Sequence, residues 1–307
     1  DPLTVGYIPV VADVDGDGKP ELVTGSQVYG WDTATTEWVP DGPALGQIGR
    51  IAIADLGTYG PMPGADDRGH LDGKPEVVSV NAGVVRAYTL TGRMIFTGNI
   101  QGPVPGSGGP PTIADFDGDG RAEFASAGGT AYTVFDPDCV AGADHAVCPS
   151  GRTDGLLWFQ PSQDRSSNVT GSSVFDFEGD GRAEVVYADE CFTRVYDGTS
   201  GQVVYSRFRR SCTWYENPIV ADVDADFNAE IVVPSNTNCN VTCPALDPIF
   251  DGVQCLDNSD CPASAPCGRD AATDTLGKCR CAVDADCGGD NFVCRDPIAG
   301  PAAAGKV

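Results

Sequence analysis

Histidine, methionine and positive charge are all scarce in this chain of 307 residues. Its two histidines, His70 and His145, lie far apart, so a Ser-His-Asp or Cys-His catalytic site is not expected. The sequence also lacks the Gly-x-Ser-x-Gly, His-Glu-x-x-His and phosphate-loop motifs. Only 19 Lys and Arg residues stand against 44 Asp and Glu residues, which disfavours nucleic-acid binding because phosphates need cationic partners. No catalytic or organic-cofactor site is therefore predicted.

Long apolar runs are missing as well, so no membrane span is expected. No Cys-x-x-Cys pair occurs, which argues against a zinc site. No segment before residue 239 keeps a 3.6-residue apolar period, so helix should be scarce. The 13 cysteines indicate an oxidising compartment, and we expect a secreted or cell-surface protein. Because the chain starts at Asp1 without a signal peptide, a removed export leader is expected.

The chain does contain an acidic nine-residue loop, which occurs five times, each time between short runs of β-branched residues. Acidic residues stand at positions 1, 3, 5 and 9, and a glycine usually stands at position 6. Ca²⁺ accepts about six to eight oxygen ligands, so this pattern indicates a calcium loop. An EF-hand would close with Glu at position 12 on a helix, whereas these loops are flanked by predicted strands. Copies occur at 13–21, 115–123, 176–184 and 222–230, with a split copy opening at Asp55 and closing at 72–76.

We predict that positions 1, 3, 5 and 9 supply carboxylate oxygens and position 7 a backbone carbonyl, with about one Ca²⁺ per loop and up to five in all. Glu178 at position 3 has a longer reach, and Phe227 replaces the expected glycine. The split copy carries 13 extra residues, in which Asp66 or Asp67 could supply the missing ligand. The predicted ligands are Asp13, Asp15, Asp17, Lys19, Glu21, Asp55, Asp72, Lys74, Glu76, Asp115, Asp117, Asp119, Arg121, Glu123, Asp176, Glu178, Asp180, Arg182, Glu184, Asp222, Asp224, Asp226, Asn228 and Glu230.

The spacing of the loops predicts the architecture. Consecutive loops start 42, 60, 61 and 46 residues apart, which leaves room for about four short strands in each repeat. That period is typical of a β-propeller blade, and neighbouring blades must cover each other's faces. A β-solenoid is the alternative, but its repeats are much shorter. We therefore predict an all-β fold in which residues 1–237 form propeller blades.

From residue 238 onward cysteines replace the apolar alternation, and nine of them lie between residues 239 and 294. We predict a small disulfide-rich module over 238–307, inserted in or following the fifth blade, because that blade's third and fourth strands have not yet appeared. Its first half-repeat has four cysteines (255–279) and its second has three (281–294), so a fourth is expected beyond residue 307. Elsewhere, Cys139–Cys148 and Cys191–Cys212 are the predicted disulfides, with free buried thiols as the alternative.

With its preceding strands, the loop pattern resembles the FG-GAP or VCBS repeat family, which includes the integrin α-subunit propeller and many secreted bacterial proteins. The resemblance covers about residues 4–236, although the literal Phe-Gly and Gly-Ala-Pro signatures are not evident. It implies a seven-bladed ring, structural calcium ions on one rim and ligand binding elsewhere. The tail resembles small Cys-rich repeats found inserted in bacterial propellers.

Three functions are compatible with these features. The first is a non-enzymatic adhesion, recognition or structural module that binds a protein or glycan, or joins a larger extracellular assembly. The second is a lectin, which would need repeated sugar pockets, yet the tryptophans do not recur at the blade period and tryptophan in β domains is more often core. The third is a polysaccharide lyase on a similar propeller. The tryptophans concerned are Trp31, Trp38, Trp158 and Trp214.

Overall fold

The computed structural model describes residues 8–46, 48–141, 148–236, 240–244 and 247–250, together with strand segments at 254–255, 267–268 and 277–279. Within these ranges the chain is built of strands, and the one helical element is a 3₁₀ turn at Pro63–Ala65. No helix in the described part is long and apolar enough to cross a membrane. The predicted scarcity of helix is confirmed.

Four sheets of four antiparallel strands follow one another along the chain, and in each the spatial order equals the chain order. Each sheet is therefore an antiparallel meander, as a propeller blade requires. Blade one contains β1 (Val10–Ala12), β2 (Glu21–Val23), β3 (Val28–Asp32) and β4 (Glu37–Pro40). Blade two contains β5 (Arg50–Ala54), β6 (Glu76–Asn81), β7 (Val84–Tyr88) and β8 (Met94–Asn99). Blade three contains β9 (Thr112–Ala114), β10 (Glu123–Ala127), β11 (Ala131–Val140) and β12 (Asp154–Pro161). Blade four contains β13 (Ser172–Phe175), β14 (Glu184–Ala188), β15 (Phe192–Tyr196) and β16 (Val203–Phe208).

A fifth blade begins with the antiparallel pair β17 (Ile219–Ala221) and β18 (Glu230–Val232). The described residues contain no third or fourth strand for it. In the cysteine-rich region, β19 (Gln254–Cys255), β20 (Cys267–Gly268) and β21 (Gly277–Cys279) form a small antiparallel sheet with β21 in the middle. The other residues of the predicted 238–307 module lie largely outside the described residues, so its boundaries stay a prediction.

Apolar clusters join each blade to the next. Val23 and Val28 of blade one pack with Ile51 and Val77 of blade two. The same kind of cluster joins blades two and three around Phe96, Phe124 and Phe135, and blades three and four around Tyr132, Trp158, Tyr187 and Tyr196. The first strands of consecutive blades also contact one another. Because each blade covers its neighbour's face and the first strands meet, the predicted propeller arrangement is confirmed and a solenoid is excluded.

One of the two disulfide predictions is confirmed and the other is wrong. The Cys139–Cys148 bond is present. The predicted Cys191–Cys212 bond is wrong, because Cys191 is bonded to Cys243. Cys191 lies opposite Arg209 at the end of the β15–β16 ladder, where the Arg209 N–H donates to the Cys191 carbonyl (2.7 Å). Cys212 therefore lies three residues past the position that faces Cys191. Cys212 is itself disulfide-bonded.

The residues after blade five run back over blade four. We call residues 240–244 and 247–250 the return segment. The Cys191–Cys243 bond attaches it, Gln163 Nε2 donates to the Thr242 carbonyl (3.3 Å), and Ile249 and Phe250 pack against the cluster between blades three and four. The start of the predicted cysteine-rich module is thus anchored to blade four.

Candidate metal centres

All five acidic loops occupy the same place in their blades, between the first and the second strand. The position-9 glutamate is in each case the first residue of the second strand (Glu21, Glu76, Glu123, Glu184 and Glu230). Because equivalent hairpins of neighbouring blades project in the same direction, the loops share one end of the blades. Because the same two strands bound every loop, the loop positions keep the same alignment with these strands from blade to blade.

The position-1 aspartate organises each loop through both of its oxygens. Asp115 accepts the N–H groups of Gly118 (2.6 Å) and Gly120 (2.9 Å), and Asp13 and Asp176 accept those of the equivalent glycines. An aspartate that accepts nearby backbone N–H groups favours a tight turn. Local hydrogen bonds therefore hold the acidic loop in its turned conformation.

Positions 5 and 9 close the loop in the same way in every copy. The position-5 carboxylate accepts the N–H of position 7 at 2.8–2.9 Å. The position-9 glutamate accepts the N–H of position 2 at 2.7–2.9 Å. These bonds include the split copy, in which Asp55 also accepts the Gly73 N–H (2.6 Å). The split copy is thus a true loop from which residues 57–71 project.

Position 6 requires a left-handed backbone. Gly18, Gly73, Gly120 and Gly181 have φ between 78° and 89°. Phe227 takes the same place with φ 70° and leaves its side chain 97% exposed. Its N–H still reaches Asp222 Oδ2 (3.0 Å), so the Phe227 substitution does not prevent the loop conformation. The strain of a non-glycine residue at positive φ is offset by the surrounding hydrogen bonds.

Three loops bring three carboxylates together, with ligand atoms within 4.8 Å of one another. The groups are Asp13, Asp15 and Asp17; Asp115, Asp117 and Glu123; and Asp222, Asp224 and Asp226. Among the described residues, the split loop and the 176–184 loop form no such group. These donor sets consist of oxygen alone, which fits a hard cation such as Ca²⁺ and disfavours zinc. The remaining predicted ligands, including the position-7 carbonyls, stay a prediction.

In the split loop and the 176–184 loop, acidic side chains have other neighbours. In the split loop, Asp66 is held by Arg93, with Arg93 Nη1 and Nη2 at 3.1 and 2.5 Å from its oxygens. Asp66 therefore serves as an ion-pair partner here, and the backbone of Asp67 pairs with Thr58. In the 176–184 loop, the longer Glu178 at position 3 raises the pKa of the position-9 Glu184. A fourth group, Asp136 with Cys139 and Cys148, lacks thiolates because the two cysteines form a disulfide.

Burial makes three of the position-9 glutamates, Glu76, Glu123 and Glu184, unusually weak acids when no cation is bound. Burial raises the pKa of Glu123 to about 10, although the hydrogen bond from the Phe116 N–H works in the opposite direction. Burial raises the pKa of Glu76 to about 8, and burial together with Glu178 raises that of Glu184 to about 7. Desolvation disfavours the charged form, and a bound cation would favour it. Ionisation of these glutamates would therefore create negative charge that the protein itself compensates poorly.

We expect the protein in a chelator to lose stability as the pH rises from about 5 to 8. Glu76 and Glu123 retain protons over this range in the folded state, whereas unfolding returns them to the ordinary value of 4.5 and releases those protons. Stability must then fall with rising pH, which urea unfolding at several pH values would measure. Glu123→Gln keeps an acceptor for the Phe116 N–H and should flatten the slope. A stability that rises with pH in the chelator would contradict this expectation.

Position 2 of the acidic loops has a structural role that the sequence alone did not predict. In the first three loops, the apolar residue at position 2, whose N–H binds the position-9 glutamate, inserts its side chain between blades. Val14, Leu56 and Phe116 are buried in the three inter-blade clusters or against them. Val223 in the fifth loop is 61% exposed. The recurrence of Val, Leu or Phe at position 2 was the available signal, and we call this position the peg.

Comparison with known families and structures agrees with the fold. Residues 5–37 match the FG-GAP repeat family, and residues 71–126 match the FG-GAP-like repeat family. The structure of the V. cholerae biofilm matrix protein Bap1 is similar with a TM-score of 0.56 at 14% identity, covering 75% of this chain and 60% of that one. This chain therefore spans less than two thirds of Bap1, and the similarity shows the fold alone.

Two rhamnogalacturonan lyase structures match more loosely. YesW gives a TM-score of 0.36 at 13% identity, covering 74% of this chain and 55% of that one. The Bacillus licheniformis enzyme of family PL11 gives 0.36 at 14% identity with the same coverages. Structural similarity at this level carries no argument about activity. No curated protein matches the chain.

Proposed function

We propose that this FG-GAP repeat chain is a calcium-stabilised propeller module that acts outside the cell in recognition or assembly and catalyses no reaction. The observation that carries the proposal is the repeated link from acidic loop to peg. In every copy the position-9 glutamate binds the peg N–H, and in the first three copies the peg is buried against the following blade. The disulfides Cys139–Cys148 and Cys191–Cys243 favour an oxidising compartment.

Loop three shows the link in most detail. Glu123 Oε2 accepts the Phe116 N–H (2.7 Å), while the Phe116 side chain lies in the cluster between blades three and four. The Phe116 carbonyl accepts a hydrogen bond from Thr199 Oγ1 of blade four (3.3 Å). An ion held by Asp115, Asp117 and Glu123 would supply the positive charge that these carboxylates lack. It would thereby stabilise the loop from which Phe116 enters the neighbouring blade.

Calcium is expected to raise the melting temperature of the protein. Free calcium at about 100 times the dissociation constant adds about 2.7 kcal/mol, which corresponds to about 5–10 °C for a domain of this size. Calorimetry in CaCl₂, MgCl₂ and EGTA would measure the shift. The double variant Asp115→Asn, Asp117→Asn should lose part of it, whereas the control Asp32→Asn, which lies outside the loops, should keep it. A melting curve that is identical in CaCl₂ and EGTA would overturn the calcium proposal.

The proposal that the protein catalyses no reaction is tested separately. Acidic polysaccharides are incubated with the protein in calcium and in chelator, and release of new chain ends is measured. No turnover is expected, since the sequence contains no recognised catalytic motif. Turnover that depends on the intact fold would show that this part of the proposal is wrong and would leave the calcium result untouched.

We also propose that residues 238–307 form a separate cysteine-rich module attached to the propeller. The small sheet of β19, β20 and β21 supports a distinct unit, and the return segment supports rigid attachment at blade four. The ligand would be a protein or a glycan, and one glycan-binding location is developed below.

A further inference from the structure

Among the described residues three tryptophans are exposed, and only one of them lies in a loop between blades. Trp31 and Trp38 are 47% and 39% exposed and face each other across β3 and β4 of blade one. Trp214 is 63% exposed and lies between β16 and β17, on the approach to blade five. Single exposed apolar side chains are common on protein surfaces, so what distinguishes Trp214 is the way its loop is held.

The backbone around Trp214 is held on both sides by hydrogen bonds to residues 164–171. Thr213 Oγ1 lies within hydrogen-bond reach of the fully buried Asp164, and the Thr213 N–H donates to Ser166 Oγ (3.0 Å). The Trp214 carbonyl accepts from Thr170 Oγ1 (3.2 Å). The Glu216 carbonyl accepts the Gly171 N–H (3.1 Å), and Cys212 is disulfide-bonded. These bonds hold the backbone of the loop and therefore the position of the exposed Trp214 indole.

A further contact ties the same loop to the opposite side of the arc of blades. Arg50, a buried residue that begins β5 in blade two, donates from Nη2 to the Tyr215 hydroxyl (3.0 Å) and stacks over its ring at 5.3 Å. Tyr215 in turn meets the Trp214 indole edge to face at 5.4 Å. The first strands of the blades lie together around the propeller axis, so this contact between blade two and the loop before blade five spans that axis. Arg50 opens β5 and Asp55 follows it, so the loop lies at the end opposite the acidic loops.

We propose that Trp214 is the stacking platform of a carbohydrate site at this axial end, which rests on the recognition function proposed above. A pyranose ring has an apolar C–H face that packs on a flat aromatic ring and hydroxyl groups that need polar neighbours. Polar residues stand near Trp214 in the sequence: Glu216 is half-buried and accepts the Trp214 backbone N–H, and Asn217 and Arg210 are exposed. Rigid support also lowers the entropic cost of binding.

The test uses the whole chain in calcium on an array of immobilised oligosaccharides that includes neutral hexoses, hexosamines and uronic acids. Glycans bound by the native protein are then titrated against Trp214→Ala, Trp214→Phe and the control Trp31→Ala, which removes an exposed tryptophan elsewhere. We expect Trp214→Ala to weaken binding by about tenfold or more, Trp214→Phe to weaken it less, and Trp31→Ala to leave it unchanged. Melting curves of all variants check the fold.

Two results would overturn the proposal. The first is an array on which the calcium-loaded native protein binds no glycan. The second is binding that survives Trp214→Ala or falls equally with Trp31→Ala. Either result would leave the calcium-dependent melting shift in place, so a failure of this site is distinguishable from a failure of the proposed module.

Discussion

Replacing Arg194 by methionine is expected to destabilise the protein by about 3–5 kcal/mol, because it leaves two buried carboxylates without their cation. The Arg194 side chain is 4% exposed, and those of Asp189 and Asp247 are fully buried. Arg194 Nη1 lies 2.5 Å from Asp189 Oδ2, and its Nε lies 2.6 Å from Asp247 Oδ2. Urea unfolding at neutral pH would measure the loss.

The two carboxylates also explain how this arginine stays charged inside the protein. Burial by itself lowers the pKa of Arg194, but Tyr196, Asp189 and Asp247 together raise it above its ordinary value. The pairing has a structural consequence, since Asp247 belongs to the return segment and Asp189 to blade four. Loss of Arg194 should therefore loosen the return segment as well, although the Cys191–Cys243 bond keeps it attached.

The control for this variant is Arg152→Met. Arg152 forms a comparable pair with Asp154, but both side chains are at least one third exposed. Exposed ion pairs contribute about 0–1 kcal/mol, so this change should cost little. If Arg194→Met and Arg152→Met differ by less than about 1 kcal/mol, the buried pair is not the anchor that the geometry indicates.

A second large effect is expected from Phe116→Ala, which removes the peg of loop three. Phe116 is fully buried among Tyr132, Trp158, Tyr187 and Tyr196, the residues that join blades three and four. Truncating a fully buried phenylalanine costs about 3–5 kcal/mol, since both transfer energy and contacts around the new cavity are lost. Chemical denaturation in saturating calcium would measure this cost.

The matched control is Val223→Ala. Val223 is the peg of loop five, and its N–H makes the same bond to Glu230 Oε2 (2.9 Å), but its side chain is largely exposed. The substitution should change stability by no more than about 0.5 kcal/mol. Equal costs for the two variants would mean that position 2 acts on the loop itself and not on the blade interface.

The acidic loops could be predicted from the sequence because they are local. Each of the four contiguous copies is shaped by bonds between residues two to seven apart, such as Asp17 with the Lys19 N–H or Glu21 with the Val14 N–H. The amino acids that make these bonds therefore stand close together in the sequence and repeat with it. The regular spacing of such loops also determined that the chain is a series of meanders, because each loop links two adjacent strands of one sheet.

Contacts between distant residues had no such signal. Cys191 had a plausible partner in Cys212, yet the tertiary structure joins it to Cys243, 52 residues away. Arg194 and Asp247 are separated by 53 residues, and nothing near either one identifies the other. The split loop shows the same limit, since Asp66 looked like a ligand until the fold placed Arg93 beside it.

The sequence by itself thus determined the repeated loop, the carboxylates that it carries and the blade order, because short-range hydrogen bonds and strand alternation depend on neighbouring residues. Only the tertiary structure decided which pegs are buried, how the return segment is held and where Trp214 is presented. Those outcomes depend on how whole sheets pack, and side chains that lie far apart in the sequence meet only after the backbone has brought the blades together.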